Sequence, residues 1–446
     1  MQKIRYEDST MATVTIKAIR KCMHQGLRRM LAALPRETRF AVYRSFVDCD
    51  PEPSDRLQLK IADTQEELEA SFSLLHDAYV DAGFMKPDPS GMRVTLYHAL
   101  PTTTTLCAKW DGEVVGTMSL IRESAFGFPL QKIFDLSGVR VKGGNLAEVS
   151  ALAVHPHFRK TGGAILFPLM KFMYEYATEY FDTRHLLIAV NPNRIEMYES
   201  LLFFQRLTAN AVDKYDFANG APAVGAALDL YQAPAIMAPA YAGKPPRKDL
   251  LSYFTGIKLP NLQLPNRRYF TTNDPVLTPE LLDHFFNRRT QGFADLDTRK
   301  RALLHSIYDL PAYRDILPEL PMLGDDMPLR QYRRFSVKCP GRIRPDAPYG
   351  TVGEFPVQVI EVSEYGFQAY AREGLPLNIW SLATVQLGRS EISVVKALAV
   401  RDHANGFNGF YGFKVGEPDL VWRKFVSAID HGLTHEDLEH ATLFLA

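Results

Sequence analysis

The spacing of apolar residues changes several times along this chain, and each change predicts a different element. "IKAIRKCMHQGLRRMLAAL" (16–34) repeats at helical spacing with Arg and Lys along one side. The proline-bearing "DCDPEPSD" (48–55) then breaks the pattern. "LQLKIA" (57–62) reads as a strand. "DTQEELEASFSLLHDAYVDAGF" (63–84) reads as a helix capped by Asp63 or Thr64, with Glu66 or Glu67 near the third helical position. "TLCAKWDGEVVGTMSLI" (105–121) predicts a hairpin turning at Asp111-Gly112. An apolar strand, a basic glycine turn and a long helix follow in "EVSALAVHPHFRKTGGAILFPLMKFMYEY" (148–176). Strand "RHLLIAV" (184–190), short helix "NRIEMYESLLFF" (193–204) and strand "AVGAALDLY" (223–231) complete a mixed α/β sheet with helices on its faces.

The texture then changes. Residues 233–248 are rich in Ala and Pro and predict a surface linker. "TPELLDHFFNRR" (278–289) and "DTRKRALLHSIYDL" (297–310) predict helices, and from about Pro328 short apolar runs broken by Gly and Pro predict a small all-β barrel. "THEDLEHATLFLA" (434–446) predicts a closing helix. The expected division is a basic helical segment over 1–56, an α/β domain over 57–235, a linker and helical connector over 236–327, a barrel over 328–430 and a terminal helix over 431–446.

Composition narrows the function classes. The 446 residues suffice for two or three cores, and 51 basic against 51 acidic residues argue against a nucleic-acid polymer as partner. The four cysteines, 22, 49, 107 and 339, show no C-x-x-C spacing, so neither a disulfide framework nor a metal site is expected. Cys107, inside an apolar strand, reads as a buried thiol. No apolar run approaches the ~20 residues that span a bilayer, and a cytoplasmic protein is expected. The basic residues 1–50 suit either contact with an anionic membrane surface or packing on the next domain.

The candidate chemistry starts at the glycine turn. Both G-x-x-x-x-G-K-S/T and G-x-G-x-x-G are absent. Arg159, Gly162 and Ala164 instead form R-x-x-G-x-A between strand and helix, with Gly163 among them. Small residues there let the first amides of the helix, at the positive end of its dipole, face a phosphate. With the element order of 57–235, this signature resembles the GNAT acyltransferases. The resemblance implies that the turn holds the pantetheine phosphate of an acyl donor and that the splayed fourth and fifth strands hold the arm. Residues 81–121, "AEVSALAVHPHFR" (147–159) and "NPNRIEMYESLLFF" (191–204) are similar to bacterial N-acyl amino acid synthases, relatives of acyl-homoserine lactone synthases. That likeness implies transfer of a long acyl chain from acyl carrier protein or coenzyme A to an amine.

Acyl transfer to an amine needs a base, oxyanion donors and a proton for the leaving thiolate. Glu148 is the candidate base, Tyr198 the candidate acid, and the backbone amides near Leu152 to Val154 the candidate oxyanion donors. His155 and His157 read as solvated loop residues. Arg93, Tyr97 and His98 are candidates to contact the acceptor, Arg being suited to a carboxylate. Phe126, Phe128, Leu130, Ile133 and Phe134 suit either an acyl-chain wall or ordinary core.

"RQYRRFSVKCPGRI" (330–343) contains Arg330-x-x-x-Arg334, with Arg333 between them, and "EVSEYGFQ" (361–368) contains Ser363-x-x-Gly366. Together with residues 409–429 they resemble the PilZ domain, a six-stranded barrel. The resemblance implies cyclic di-GMP as a regulatory ligand of these residues. Glu361 stands where that family carries Asp or Asn. Two other functions remain open: a non-catalytic cyclic di-GMP receptor with a degenerate acyltransferase domain, and a homoserine-lactone-like signal synthase.

Overall fold

The computed structural model describes residues 33–124, 126–159, 161–265, 269–271, 274, 277–308, 311–320, 334–346, 353–402 and 409–430. The basic run up to residue 32, Arg330, Arg333 and the expected closing helix lie outside the described residues. The part of the N-terminal segment that is described forms α1 (Arg36–Ser45). It is tied to the α/β domain through Arg39, whose guanidinium contacts Glu196 at 3.0 and 2.7 Å.

The first layer is one mixed sheet. Its strands are β1 (Leu57–Ile61), β2 (Thr103–Trp110), β3 (Glu113–Arg122), β4 (Asn145–Val154), β5 (Thr183–Val190), β6 (Gln205–Arg206), β7 (Val212–Tyr215) and β8 (Ala221–Asp229). They are ordered β1-β2-β3-β4-β5-β8-β6, with β7 also on β8. Only β4 and β5 pair in parallel, and the crossover between them is helix α3 (Leu166–Phe181). Helix α2 (Gln65–Asp81) begins where Thr64 accepts a hydrogen bond from the Glu67 amide. The β2–β3 turn places Asp111 and Gly112 at φ 52° and 87°, the left-handed pair that a two-residue hairpin requires. This is the GNAT-type arrangement expected from the element order.

The Ala/Pro-rich segment is not a surface linker. It forms α5 (Ala233–Tyr241), after α4 (Pro192–Leu202), and is followed by α6 (Leu250–Thr255). Ala233, Met237, Tyr241, Leu250 and Tyr253 are buried in the same core as α3. Pro234 sits in the first turn, where no amide hydrogen bond is lost, and the small side chains permit close packing. Lys171, fully buried on α3, donates to the Phe254 carbonyl at 3.1 Å and pairs with Glu175 at 2.6 Å, which pins the end of α6.

Beyond it, α7 (Pro279–Asp283) runs into a wider turn over His284–Arg289, and α8 is Thr298–Ile307. Phe285, Phe286, Leu304 and Tyr308 join the core on the opposite face of the sheet from α3. Strands β9 (Phe335–Pro345), β10 (Phe355–Ser363), β11 (Gly366–Ala371), β12 (Trp380–Gln386), β13 (Ile392–Arg401) and β14 (Phe410–Val415) close into an antiparallel barrel, ordered β10-β11-β14-β13-β12-β9. Helix α9 (Leu420–Asp430) packs Trp422 and Phe425 into its core. A six-stranded barrel with a closing helix is the architecture that the PilZ resemblance implies.

Candidate active site

The site begins with a defect in β4. One extra residue sits in β4 between the pairs Thr117↔Ala153 and Ser119↔Ser150, and Ala151 takes φ +52° there. A bulge of this kind bends its strand, and a non-glycine residue in that region stores strain of about 1–3 kcal/mol. The parallel ladder to β5 stops at Glu148↔Leu187, whereas β5 stays paired to β8 as far as Val190. Past Glu148 the two strands part, and the β5-facing edge of β4 has no strand partner.

A cavity of about 520 Å³ fills this gap. On one face of the sheet its lining includes Tyr79, Glu148, Tyr215 and Phe217; on the other it includes Met173, Met237, Leu251 and Phe254. Tyr215 and Met237 belong to the cores on opposite faces, so the cavity runs through the sheet. Its wall on the α5 and α6 side is apolar apart from Thr255, whose hydroxyl donates to the Leu251 carbonyl at 2.8 Å. Phe128, Leu130 and Phe134 are ordinary core, and neither they nor Phe126 and Ile133 line the cavity.

Glu148 is 1% exposed. One carboxylate oxygen accepts from the Leu130 amide at 3.1 Å; the other has no partner among the described residues. Burial pushes its pKa up to about 8, only partly opposed by that hydrogen bond. A carboxyl group held near neutrality is suited to exchanging protons at working pH. Tyr198, half-buried on α4, also lines the cavity. Its ring packs edge-on to Phe204 at 6.0 Å, and burial raises its pKa. Arg194, one turn earlier on α4, is exposed at the cavity wall and has no ion-pair partner among the described residues.

The glycine turn lies at the head of α3. Gly162 and Gly163 have φ +69° and +101°, and a Cβ on Gly163 would lie 2.5 Å from the Phe167 ring. Helix α3 has no side-chain cap, and the amides of Gly162, Gly163 and Ile165 find no acceptor among the described residues. Arg159 turns back to donate to the Val154 carbonyl at 2.8 Å. Leu152 lines the cavity; Val154 and Ala164 do not.

Residues 70–229 match the family model of the N-acyl amino acid synthase FeeM. They form an acyltransferase domain of that type. Among solved structures, FeeM from uncultured soil microbes is 25% identical, over 40% of this chain and 94% of its own, with a TM-score of 0.35. The CoA-dependent acyl-homoserine lactone synthase BjaI is 18% identical, over 47% and 92%, with a TM-score of 0.32. The acetyltransferase yncA from Salmonella typhimurium is 17% identical, over 40% and 95%, with a TM-score of 0.29. No curated protein matches the chain.

In the FeeM-like domain, Arg93, Tyr97 and His98 stand behind the cavity wall rather than on it. The Arg93 guanidinium is sandwiched between the rings of Tyr79 and Phe217, 4.3 and 4.7 Å from their centroids, and donates to the Phe217 carbonyl at 2.8 Å. It therefore holds two lining rings in place. His98 is buried and its pKa falls to about 3, so it carries no charge for an acceptor carboxylate. The rings of His155 and His157 meet edge to face, 4.9 Å between centroids, in the loop after β4.

One lining residue has no sequence signal at all. Tyr215 is 5% exposed, and its hydroxyl is buried without a hydrogen-bond partner among the described residues. Leaving a buried polar group unpaired costs about 1–3 kcal/mol. Nothing in "VDKY" (212–215) marks it; only the pairing of β7 on β8 brings it to the cavity.

On the barrel, Arg334 and Glu361 form an ion pair at 2.6 Å. Ser363 donates to the Gly366 carbonyl at 3.1 Å, and a Cβ on Gly366 would lie 2.8 Å from the Phe413 carbonyl oxygen. Among the described residues no cluster of His, Cys, Asp or Glu is placed to hold a metal ion, and no helix is long and apolar enough to cross a membrane. Cys49, Cys107 and Cys339 are buried free thiols.

Proposed function

We propose that the FeeM-like domain transfers a long-chain acyl group from the thioester of acyl carrier protein or coenzyme A to the amine of an amino acid or related acceptor. The observation that carries this reading is the cavity through the sheet, with Glu148 at its narrow gap. The free amides of Gly162, Gly163 and Ile165 receive the pantetheine phosphate. The thioester lies in the β4–β5 gap, where the open edge of β4 near Leu152 offers amides to the developing oxyanion. The acyl chain continues to the apolar side lined by Met173, Met237 and Phe254, and the acceptor enters on the Glu148 side. Glu148 takes one proton from the acceptor ammonium, and the neutral amine attacks the thioester carbon. The C–N bond forms, the C–S bond breaks, and the second nitrogen proton ends on the departing thiolate, with Tyr198 as relay. Incubation with palmitoyl-CoA and an amino-acid panel tests this by free-thiol release and product mass spectrometry. Thiol release that no acceptor accelerates would sink it. Lipid mass spectrometry of overproducing cells names the natural product.

The second part of the proposal is that the barrel binds cyclic di-GMP and alters acyl transfer. What supports it is the strap between the two domains. Phe270 exchanges backbone hydrogen bonds with Leu387 and Lys338 of the barrel, both at 2.9 Å. Asp274, four residues on, is set among Thr104, Arg122 and Tyr176 of the FeeM-like domain, with Arg122 at 3.1 Å. Lys338, on strand β9, which begins directly after Arg334, also pairs with Asp182 at 3.0 Å. A ligand gripped by Arg330, Arg333 and Arg334 pulls on this strand. It shifts activity only if it binds differently to the active and inactive arrangements. Calorimetry with cyclic di-GMP on wild type and Arg334→Ala decides the matter. Loss of binding together with loss of the activity change supports it, and binding with constant turnover defeats it.

A further inference from the structure

We propose that the Tyr215 hydroxyl is the acceptor-binding group of the cavity, holding the incoming amine over the free oxygen of Glu148. The inference rests on the acyl-transfer reading above and adds to it the residue that seats the nucleophile. Glu148 and Tyr215 both line this cavity; the Tyr215 hydroxyl is buried with no hydrogen-bond partner among the described residues, and of Glu148 only one carboxylate oxygen is engaged there, by the Leu130 amide. The two residues share one face of the cavity lining; burial raises the phenol's pKa, and the Glu148 carboxylate, Tyr79 and Tyr97 act in the same direction. Arg93, also facing the phenol, acts the other way. The phenol therefore stays a neutral hydroxyl at working pH, unsuited to base chemistry but suited to hydrogen bonding.

An ammonium carries three N–H donors. One goes to Glu148 and is the proton removed; a second goes to the Tyr215 oxygen and remains there while the nitrogen lone pair attacks. The Tyr215 proton stays free to meet a polar group on the acceptor. The neighbours of Tyr215 in the lining include the apolar Phe217, Ala221 and Ala223. This fits a primary amine on an apolar or aromatic skeleton better than a polar or charged one.

Tyr215→Phe tests the inference on the full chain, with palmitoyl-CoA as donor and the best acceptor from the amino-acid panel. The acceptor KM should rise about 10- to 100-fold, the range for one hydrogen bond to a charged partner. Donor affinity should not change, and the melting temperature should hold or rise, because the hydroxyl removed has no partner among the described residues. An active wild type whose Tyr215→Phe variant keeps the same acceptor KM overturns this inference and leaves the acyl-transfer reading standing. A wild type that acylates no amine sinks that reading and this inference with it. A lowered melting temperature in the variant, measurable with or without turnover, shows a structural hydroxyl and also overturns it.

Discussion

Three glutamates on or beside strands meet three different fates, and the contrast separates chemistry from scaffolding. Glu67, at the start of α2, is 6% exposed but lies between Lys60 at 3.0 Å and Lys109 at 2.7 Å. Burial raises its pKa, the two lysines lower it, and the lysines win. Glu148 is buried more deeply and meets no cation among the described residues, so its pKa goes the other way, to about 8. Glu361 on the barrel is partly exposed and already engaged by Arg334. The paired, buried carboxylate ties elements together; in the function proposed above, the unpaired buried one exchanges protons and the exposed pair is what a ligand must compete with.

The largest expected effect comes from breaking the unpaired case. Glu148→Gln should lower turnover about 10²- to 10⁴-fold with donor affinity retained. Wild-type kcat/KM should climb with pH through about 8 as Glu148 ionises, and that inflection should vanish in the variant. Stability follows the same group with a definite sign. A carboxyl whose pKa is raised by folding favours the fold while protonated, and this advantage is lost as pH rises from the ordinary value of 4.5 to about 8. Glu148→Gln should therefore be the more stable protein at pH 9, by on the order of a few kcal/mol. A pH-activity profile unchanged by the substitution would return Glu148 to packing.

Glu67→Gln sharpens the contrast from the paired side. It should cost about 1–3 kcal/mol, between the values for exposed and buried pairs, and leave kcat untouched. Because folding lowers the pKa of Glu67, its contribution is present above the ordinary carboxyl pKa and lost as pH falls through the folded value. Denaturant unfolding at pH 7 and pH 3 should therefore show the two proteins converging in acid. A kcat loss comparable to that of Glu148→Gln would erase the distinction.

Much of this was readable in the sequence, and the failures have physical causes. The Thr64 cap, the Asp111-Gly112 turn and the R-x-x-G-x-A stretch are local, so a few adjacent residues determine them. The Ala/Pro-rich stretch misled because composition alone suggests a linker, whereas Ala233 and Met237 are small or pliable enough to pack against α3. The acyl-side wall at Leu251 and Phe254 and the hydroxyl of Tyr215 depend on which distant segments meet. Glu148 was legible by motif, but its isolation from every cation was not, since only the fold shows which charges are absent.

The glycine turn yields a moderate effect. At φ +69°, Gly162→Val pays about 1–2 kcal/mol for a β-carbon in the left-handed region. If the strain is relieved by moving the turn, donor affinity should fall about 5- to 30-fold while Glu148 chemistry, measured at saturating donor, is retained. Titration with coenzyme A checks this. Equal affinity in a well-folded variant would remove the phosphate from this turn.

The smallest effect concerns the engaged pair on the barrel. Glu361 holds Arg334 at 2.6 Å, with side chains 29% and 37% exposed. An ion pair this open to water contributes about 0–1 kcal/mol. A phosphate ligand that recruits Arg334 must first break the pair, so shortening the acid should lower that barrier without removing the charge. Glu361→Asp should then bind cyclic di-GMP up to about 5-fold more tightly, with a barrel melting temperature that barely moves. Glu361→Ala distinguishes competition from recognition. If the carboxylate only occupies Arg334, the alanine variant binds at least as well as the aspartate one. If the carboxylate also contacts the dinucleotide, alanine binds more weakly than wild type. Weaker binding by both variants would mean that the Arg334–Glu361 pair preorganises the site instead of blocking it, and the barrel glutamate would then resemble Glu67 rather than stand apart from it.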